Sequence, residues 1–538
     1  MGLLYYRKIK RTQRRTNHTA HCGPTAFIAA CICYAGFFLF PVASWAQASL
    51  LDKNITLPRQ HTTLYNALNL ISDKTGCLFI YDSQLVESDK RVKLQADNEP
   101  LRKVLGEILD NPELHYKVIG QHILIYRSEP VGQPAKIAQP SVPLHDTIKF
   151  VVVRGHIIDN ENKTPVPYAA IGIAEENIGT ITNADGYFEL KVPASFVGSS
   201  LLVSHLGYLS QSIPIQLLRE QKVDIYLARR VISIQEVIIR YIDPNTIIAK
   251  AMEQRKVNNS LEPVYTTSFY REGVQKNNRY LSYSEAVFKV YKSSFEHGEF
   301  ADQVKLLKSR KIQNSESSDT VFLKLKGGVL SALQLDIIKS MPGFLDVAQA
   351  GQYNYTYSDL ISYNANDAYA ITFEQKEGIP DALYSGTLYI DKESFAVLGA
   401  EFEVNPKYLD LAAESLVLKK SRKLIVKFEK ISYSVSYTPF NGKFYLNHVR
   451  CDMKLKTRLR KHFSSDNFTT FLELATCHID TANVVKFPRQ EVIKPGVVFS
   501  DAPFNNDNAF WGDYNVIAPE AKLSEALSKI IGKIEEIK

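Results

Sequence analysis

The chain has 538 residues, 45% of them hydrophobic and 11% aromatic, enough apolar material for several separate cores. The formal charge of +7 is misleading. The first 46 residues hold six basic side chains and no acid, which leaves 58 basic against 57 acidic groups in the rest and argues against nucleic acid as a partner.

That leader reads as an export signal: a basic stretch, an apolar run from about Ala26 to Phe40, and the small-residue site Ser44-Trp45-Ala46. The run is shorter than the ~20 residues of a spanning helix. Cleavage after Ala46 is expected, with lipidation at Cys31, in Ile28-Ala29-Ala30-Cys31, as the alternative. Cys77, Cys451 and Cys477 remain, too few and too widely spaced for a disulfide framework or a metal knuckle. A bridge between Cys451 and Cys477 stays open, although apolar neighbours point to buried thiols.

Residues 50–128 form one expected unit. "TTLYNALNLISDKTG" puts Leu64, Leu68 and Ile71 on one helical face and stops at Gly76; "CLFIY" and "RVKLQ" are strands. "EPLRKVLGEILDN" is a second helix, and "LHYKVIGQHILIY" a hairpin turning at Gly120. This order of elements, with "VKLQADNEPL" as the link, resembles the secretin and TonB short N-terminal (STN) domain. The resemblance implies a small α/β module in the periplasm that binds an envelope protein partner. Residues 129–148, rich in Pro, are expected to be a linker that lets the flanking domains move independently.

Residues 149–230 alternate in short runs separated by turn residues, the pattern of an Ig-like or transthyretin-like antiparallel β-sandwich. "TNADGYFEL", 182–190, hints at a calcium loop, but an EF-hand register would put Ile181 and Val192 at ligand positions, and neither binds calcium. Asp185-Gly186 is therefore expected to be a hairpin turn. With Gly155, Pro165, Gly179, Phe188 and Gly207, it makes this stretch resemble the carboxypeptidase regulatory-like domain. No zinc-carboxypeptidase ligand pair, nucleophile elbow or phosphate loop is present, so catalytic, cofactor-binding and metal residues are expected to be none.

Residues 231–538 are expected to form a β-rich domain that ends in a helix. "ISIQEVIIR" is similar to the join before the plug of an outer-membrane receptor, but "DPNTIIAKAMEQRKVNN" then reads as an amphipathic helix, and too few residues follow for a receptor barrel. Turns at Asp391-Lys392 and Asn441-Gly442 predict an antiparallel meander, curved, with "GGVLSALQLDIIKSMPG" as a helix laid against it. "SGTLYIDKESFAVLGAEFEV" resembles one hairpin of lipoprotein-carrier proteins. "FYRE" and "YSEAVFKVYKS" resemble envelope proteins known as carboxypeptidase-like regulatory domain-containing. Arg271, Glu272, Ser284 and Glu285 are the polar residues to test, because charges amid apolar strands need a partner or water.

The fold class expected is thus multidomain and mainly β with α+β parts. The expected function is a non-catalytic envelope protein, exported to the periplasm or a face of the outer membrane, that serves interaction or assembly. A glycan held by the sandwich or a lipid held by the curved sheet is the alternative.

Overall fold

The computed structural model describes residues 50–81, 90–111, 114–119, 122–127, 150–218, 222–233, 243–297, 301–313, 323–325, 328–363, 366–460, 462–493 and 508–525. The leader, the linker 129–148 and the terminal helix beyond 525 lie outside them.

The N-terminal unit follows its local signals. Helix Leu64–Thr75 begins where the Thr63 hydroxyl accepts from the Asn66 N–H at 3.3 Å, and ends at Gly76, whose φ of 75° only glycine adopts readily. Leu64, Leu68 and Ile71 are buried, as are Leu101, Val104, Leu105 and Ile108 of the second helix, Leu101–Leu109. One element escapes the sequence pattern. Strand Asn54–Thr63 pairs with Arg91–Pro100 through bulges at 55–57 and 57–60, the second of which holds Pro58, which has no N–H to donate.

The sandwich consists of two sheets. One orders Gln211–Pro214, Ser200–Ser204, Ala170–Ile173 and Gly179–Ile181; the other contains Lys222–Leu227, Phe150–Asp159 and Tyr187–Pro193. The expectation of purely antiparallel strands fails at one place, because Lys222–Leu227 runs parallel to Phe150–Asp159. The second sheet also continues into the N-terminal unit through the pair Asp224–Tyr81, giving six strands across both units.

The loop at Asp185-Gly186 requires a correction. Its flanking strands, Gly179–Ile181 and Tyr187–Pro193, belong to different sheets, so it crosses between layers and closes no hairpin. Ala184 and Asp185 occupy the centre of the turn, and the Gly186 N–H returns to the Asn183 carbonyl at 3.0 Å. Gly186 takes φ 72°, and a Cβ there would lie 2.6 Å from the Ile157 carbonyl oxygen. The buried Asn183 amide oxygen holds the turn by accepting from the N–H groups of Asp185 and Tyr187, each at 3.0 Å.

The C-terminal part is one antiparallel sheet of eleven strands: β1 Val231–Ser233, β2 Val264–Lys276, β3 Arg279–Lys292, β4 Gln303–Gln313, β5 Tyr353–Tyr363, β6 Asn366–Gln375, β7 Tyr384–Asp391, β8 Val397–Val404, β9 Leu424–Phe440, β10 Lys443–Leu459 and β11 Asp466–Asp480. Strands β5 to β11 follow the expected meander, and Asn441 and Gly442, at φ 48° and 71°, turn β9 into β10. The simple meander breaks where β11 pairs with β2 and β1 with β5, so β2–β4 are added beyond β11. The helix expected over 327–343 is two helices, Val329–Leu333 and Ile337–Ser340, because the Asp336 side chain caps the second by accepting from the Ile338 N–H.

Both faces of this sheet are covered. Tyr270, Phe288, Cys451, Met453 and Leu472 pack with the helices on one face; Phe269, Val287, Cys477, Trp511 and Ile517 pack on the other. Cys451 and Cys477 therefore lie in separate cores, each a free buried thiol, which overturns the bridge left open above.

Candidate functional site

The four polar residues singled out in the sequence fall on two adjacent strands, with Arg271 opposite Glu285 and Glu272 opposite Ser284. Arg271, Ser284 and Glu285 are buried, so a solvated face is excluded for them. Glu272 is half-buried and accepts from the Tyr270 hydroxyl at 2.6 Å. Register extends the pair into a row across five strands, Arg450–Glu473–Arg271–Glu285–Arg310, alternating in sign. The Arg271 Nε donates to Glu473 at 2.5 Å, and the Arg310 Nε donates to Glu285 at 2.6 Å. Arg450 grips Asp452 with Nε and Nη2 at 2.7 and 2.8 Å, and His448 bonds Glu473 at 2.8 Å while stacking on Tyr168 of the sandwich.

Burial alone would raise the Glu473 carboxyl. The charges of Arg271 and then Arg450, with the His448 hydrogen bond, hold it well below the usual carboxylate range. Glu473, Arg310 and His448 escaped notice in the sequence, although Glu473 is a lone charge in "FLELATC" by the criterion that selected Arg271.

Above this row lies a segment of the same chain. Glu520 accepts from both terminal nitrogens of Arg271, at 2.7 and 3.2 Å, and Trp511 packs edge-on to Phe269 under the Arg310 guanidinium. The cross-layer loop fixes the segment from the other side: Asp185 accepts from the Ala521 N–H at 2.8 Å, and the Asn183 amide donates to the Ala518 carbonyl at 3.1 Å. The Asn515 side chain pairs with the Lys191 backbone through both its oxygen and its nitrogen. These charges therefore seal the sandwich to the sheet. Among the described residues, Glu473, Glu285 and Glu520 are each held by an arginine of the row.

The opposite, helix-bearing face holds a cavity of about 470 Å³, between the helices of 329–340 and helix Leu409–Leu416. Its wall is aromatic and aliphatic. Phe402 stacks on Tyr433 at 5.0 Å, Tyr384 meets both edge-on, and Met453 and Leu416 line the remainder. Ser331, Gln334 and Ser340 supply polar groups from the covering helices, and no charged side chain is among the lining residues described. Burial raises the Tyr384, Tyr433 and Cys451 groups, which keeps the wall neutral at physiological pH. Its volume falls in the range of small-molecule pockets, and its lining is mostly apolar.

A second cavity of about 320 Å³ lies between the sandwich edge and the β9–β10 turn. It is more polar, with Glu175, Glu176 and His478 beside Phe440, and offers no stacked aromatic pair for a sugar.

The fold defines a multidomain, mainly β protein whose two small N-terminal modules precede a large curved sheet with a cavity under its helices. Residues 77–128 match the secretin and TonB N-terminus short domain, and residues 153–239 match the CarboxypepD_reg-like domain. Both are domains of cell-envelope proteins, and the chain is consistent with that setting. Among curated proteins none matches. Two solved structures are similar over roughly half the chain. A LolA superfamily protein from Nitrosomonas europaea is 10% identical over 47% of this chain and 99% of its own, with a TM-score of 0.19. A DUF1329 family protein from Desulfovibrio piger is 12% identical over 46% of this chain and 96% of its own, with a TM-score of 0.20. Among the described residues no helix is long and apolar enough to cross a membrane.

Proposed function

We propose that this chain is an exported, non-catalytic envelope protein whose curved sheet receives an acyl chain or similar neutral apolar group. The uncharged cavity of about 470 Å³ between Tyr433, Phe402, Met453 and the covering helices carries this reading. A glycan is disfavoured, since the cleft beside the sandwich lacks a stacking platform.

The N-terminal unit supplies the protein-binding part. Strand Leu114–Ile119 is the outer strand of the six-stranded sheet and has no second strand partner among the described residues, which suits the addition of a strand from a partner.

The test is titration with a fluorescent fatty acid, alongside organic extraction of the purified protein and mass spectrometry of what it carried. Ala412→Trp fills the cavity and should lower fatty-acid affinity tenfold or more with the far-ultraviolet dichroism unchanged. Undiminished affinity in that variant, or no binding by the parent chain, would remove the lipid reading.

A further inference from the structure

The corner where β9 begins and β10 ends is strongly basic. The stretches "KKSRKLIVKFEK", 419–430, and "KLKTRLRKHF", 454–463, contain eleven Lys or Arg and a single acid, Glu429. The overall balance of the chain conceals this concentration.

Register places the charges together on the outer face. Leu424, Phe428, Met453 and Leu455 turn inward and are buried, while Lys427, Lys430, Lys454 and Lys456 point outward. Lys427 stands directly opposite Lys456, and Lys430 directly opposite Lys454. Like charges in such pairs destabilise a sheet, so the fold gains nothing from them. Glu429 neutralises Lys456 and Glu403 neutralises Lys430. Among the described residues, none gives an acidic partner to Arg422, Lys423, Lys427, Lys454, Arg458 or Arg460.

An apolar group tops the same corner. Phe463, just past β10, is 100% exposed, the one aromatic among the large exposed hydrophobic side chains described. Ile425, opposite Arg458, is also exposed.

Edge protection explains part of this arrangement. β8 pairs with β9 only over residues 432–436, so among the described residues the stretch 424–431 has no strand partner on that side, where lysines discourage pairing with another chain. Phe463 contradicts that purpose, because an exposed aromatic restores the hazard the lysines suppress. A projecting basic corner with an apolar apex suits a flat anionic surface, where phosphates meet the cations and the ring enters the interface. Single-stranded nucleic acid would instead call for a groove lined by several aromatic platforms.

We infer that this corner docks the protein on an anionic membrane surface, with Phe463 as the inserted side chain. The inference is independent of what fills the cavity, yet the two fit together. Met453 lines the cavity, Lys454 of the basic corner is the next residue, and the end of the strand at Leu459 lies roughly 20 Å further along.

The experiment uses the full chain with Phe463→Trp and vesicles of phosphatidylcholine, with or without phosphatidylglycerol. The parent chain provides the background from Trp45 and Trp511. Vesicle binding through the basic leader shifts Trp45 equally in parent and variant, and subtraction of the parent spectrum removes it. A blue shift with phosphatidylglycerol vesicles alone, reversed by salt, is expected. Arg458→Glu with Arg460→Glu should weaken that vesicle response by about tenfold or more. An unchanged spectrum, an equal shift on neutral vesicles, or a response to duplex DNA or heparin without one to vesicles would each overturn the inference. Ala412→Phe, which fills the cavity without adding an indole, should leave the response intact, which separates this test from that of the cavity.

Discussion

Glu473→Gln gives the most direct test of how the sandwich is held to the sheet. The change keeps the shape and removes one buried charge that three groups contact: Arg271, Arg450 and His448. Breaking a buried pair outright costs roughly 3–5 kcal/mol. Here each arginine keeps a second carboxylate, Glu520 for Arg271 and Asp452 for Arg450, so a loss near the lower end, about 3 kcal/mol, is expected. Trp511 is a built-in probe, buried between Phe269 and Arg310 on the face in question. With a urea slope of about 3 kcal/mol/M, the fluorescence midpoint should fall by about 1 M. The acid limb should change as well. Glu473 lies below its ordinary value of 4.5 in the folded chain, so its stabilisation is present above that pH and is lost as pH falls through the lower folded value. The variant should lack this contribution. A midpoint within about 0.2 M of the parent, with unchanged slope, would show that the row of charges does not secure the interface.

Two further outcomes follow from close packing and burial. Gly155→Ala would set a Cβ 2.3 Å from the Val223 carbonyl oxygen of the parallel strand and should cost about 3 kcal/mol, whereas Gly172→Ala, with 3.6 Å of room, should cost under about 1 kcal/mol; thermal unfolding compares them. Burial pushes the Cys477 thiol up to about 12, so thiol reagents at pH 8 should label it only on unfolding. Immediate labelling of Cys477 in the native protein would contradict its placement in a closed core.

Local signals carried the sequence reading furthest. Thr63 and Gly76 bound their helix by direct hydrogen bonds and φ preference, and the burial of Leu64, Leu68 and Ile71 follows from helical spacing. Pro58 hid a strand because bulges, which the sequence does not announce, absorb its missing donor. Asp185-Gly186 was legible as a turn but not as a crossing between sheets, since strand partners are set by distant residues. Arg271 and Glu285 stood out as misplaced charges, while their partners Glu473 and Arg310 had to be found in space. The cavity is a gap between elements and leaves no mark in the sequence. The basic corner was written plainly, yet a near-neutral total concealed it.

Arg271 meets Glu473 after 202 positions of chain and Glu520 after 249. A polypeptide that emerges amino end first makes the arginine long before either carboxylate exists. The hairpin of β2 and β3 forms from neighbours, but its guanidinium stays hydrated until β11 and the Glu520 segment arrive. Dehydration of that face is therefore a late event in assembly. A chain halted before residue 520 leaves a wet arginine where the finished protein has a sealed interface.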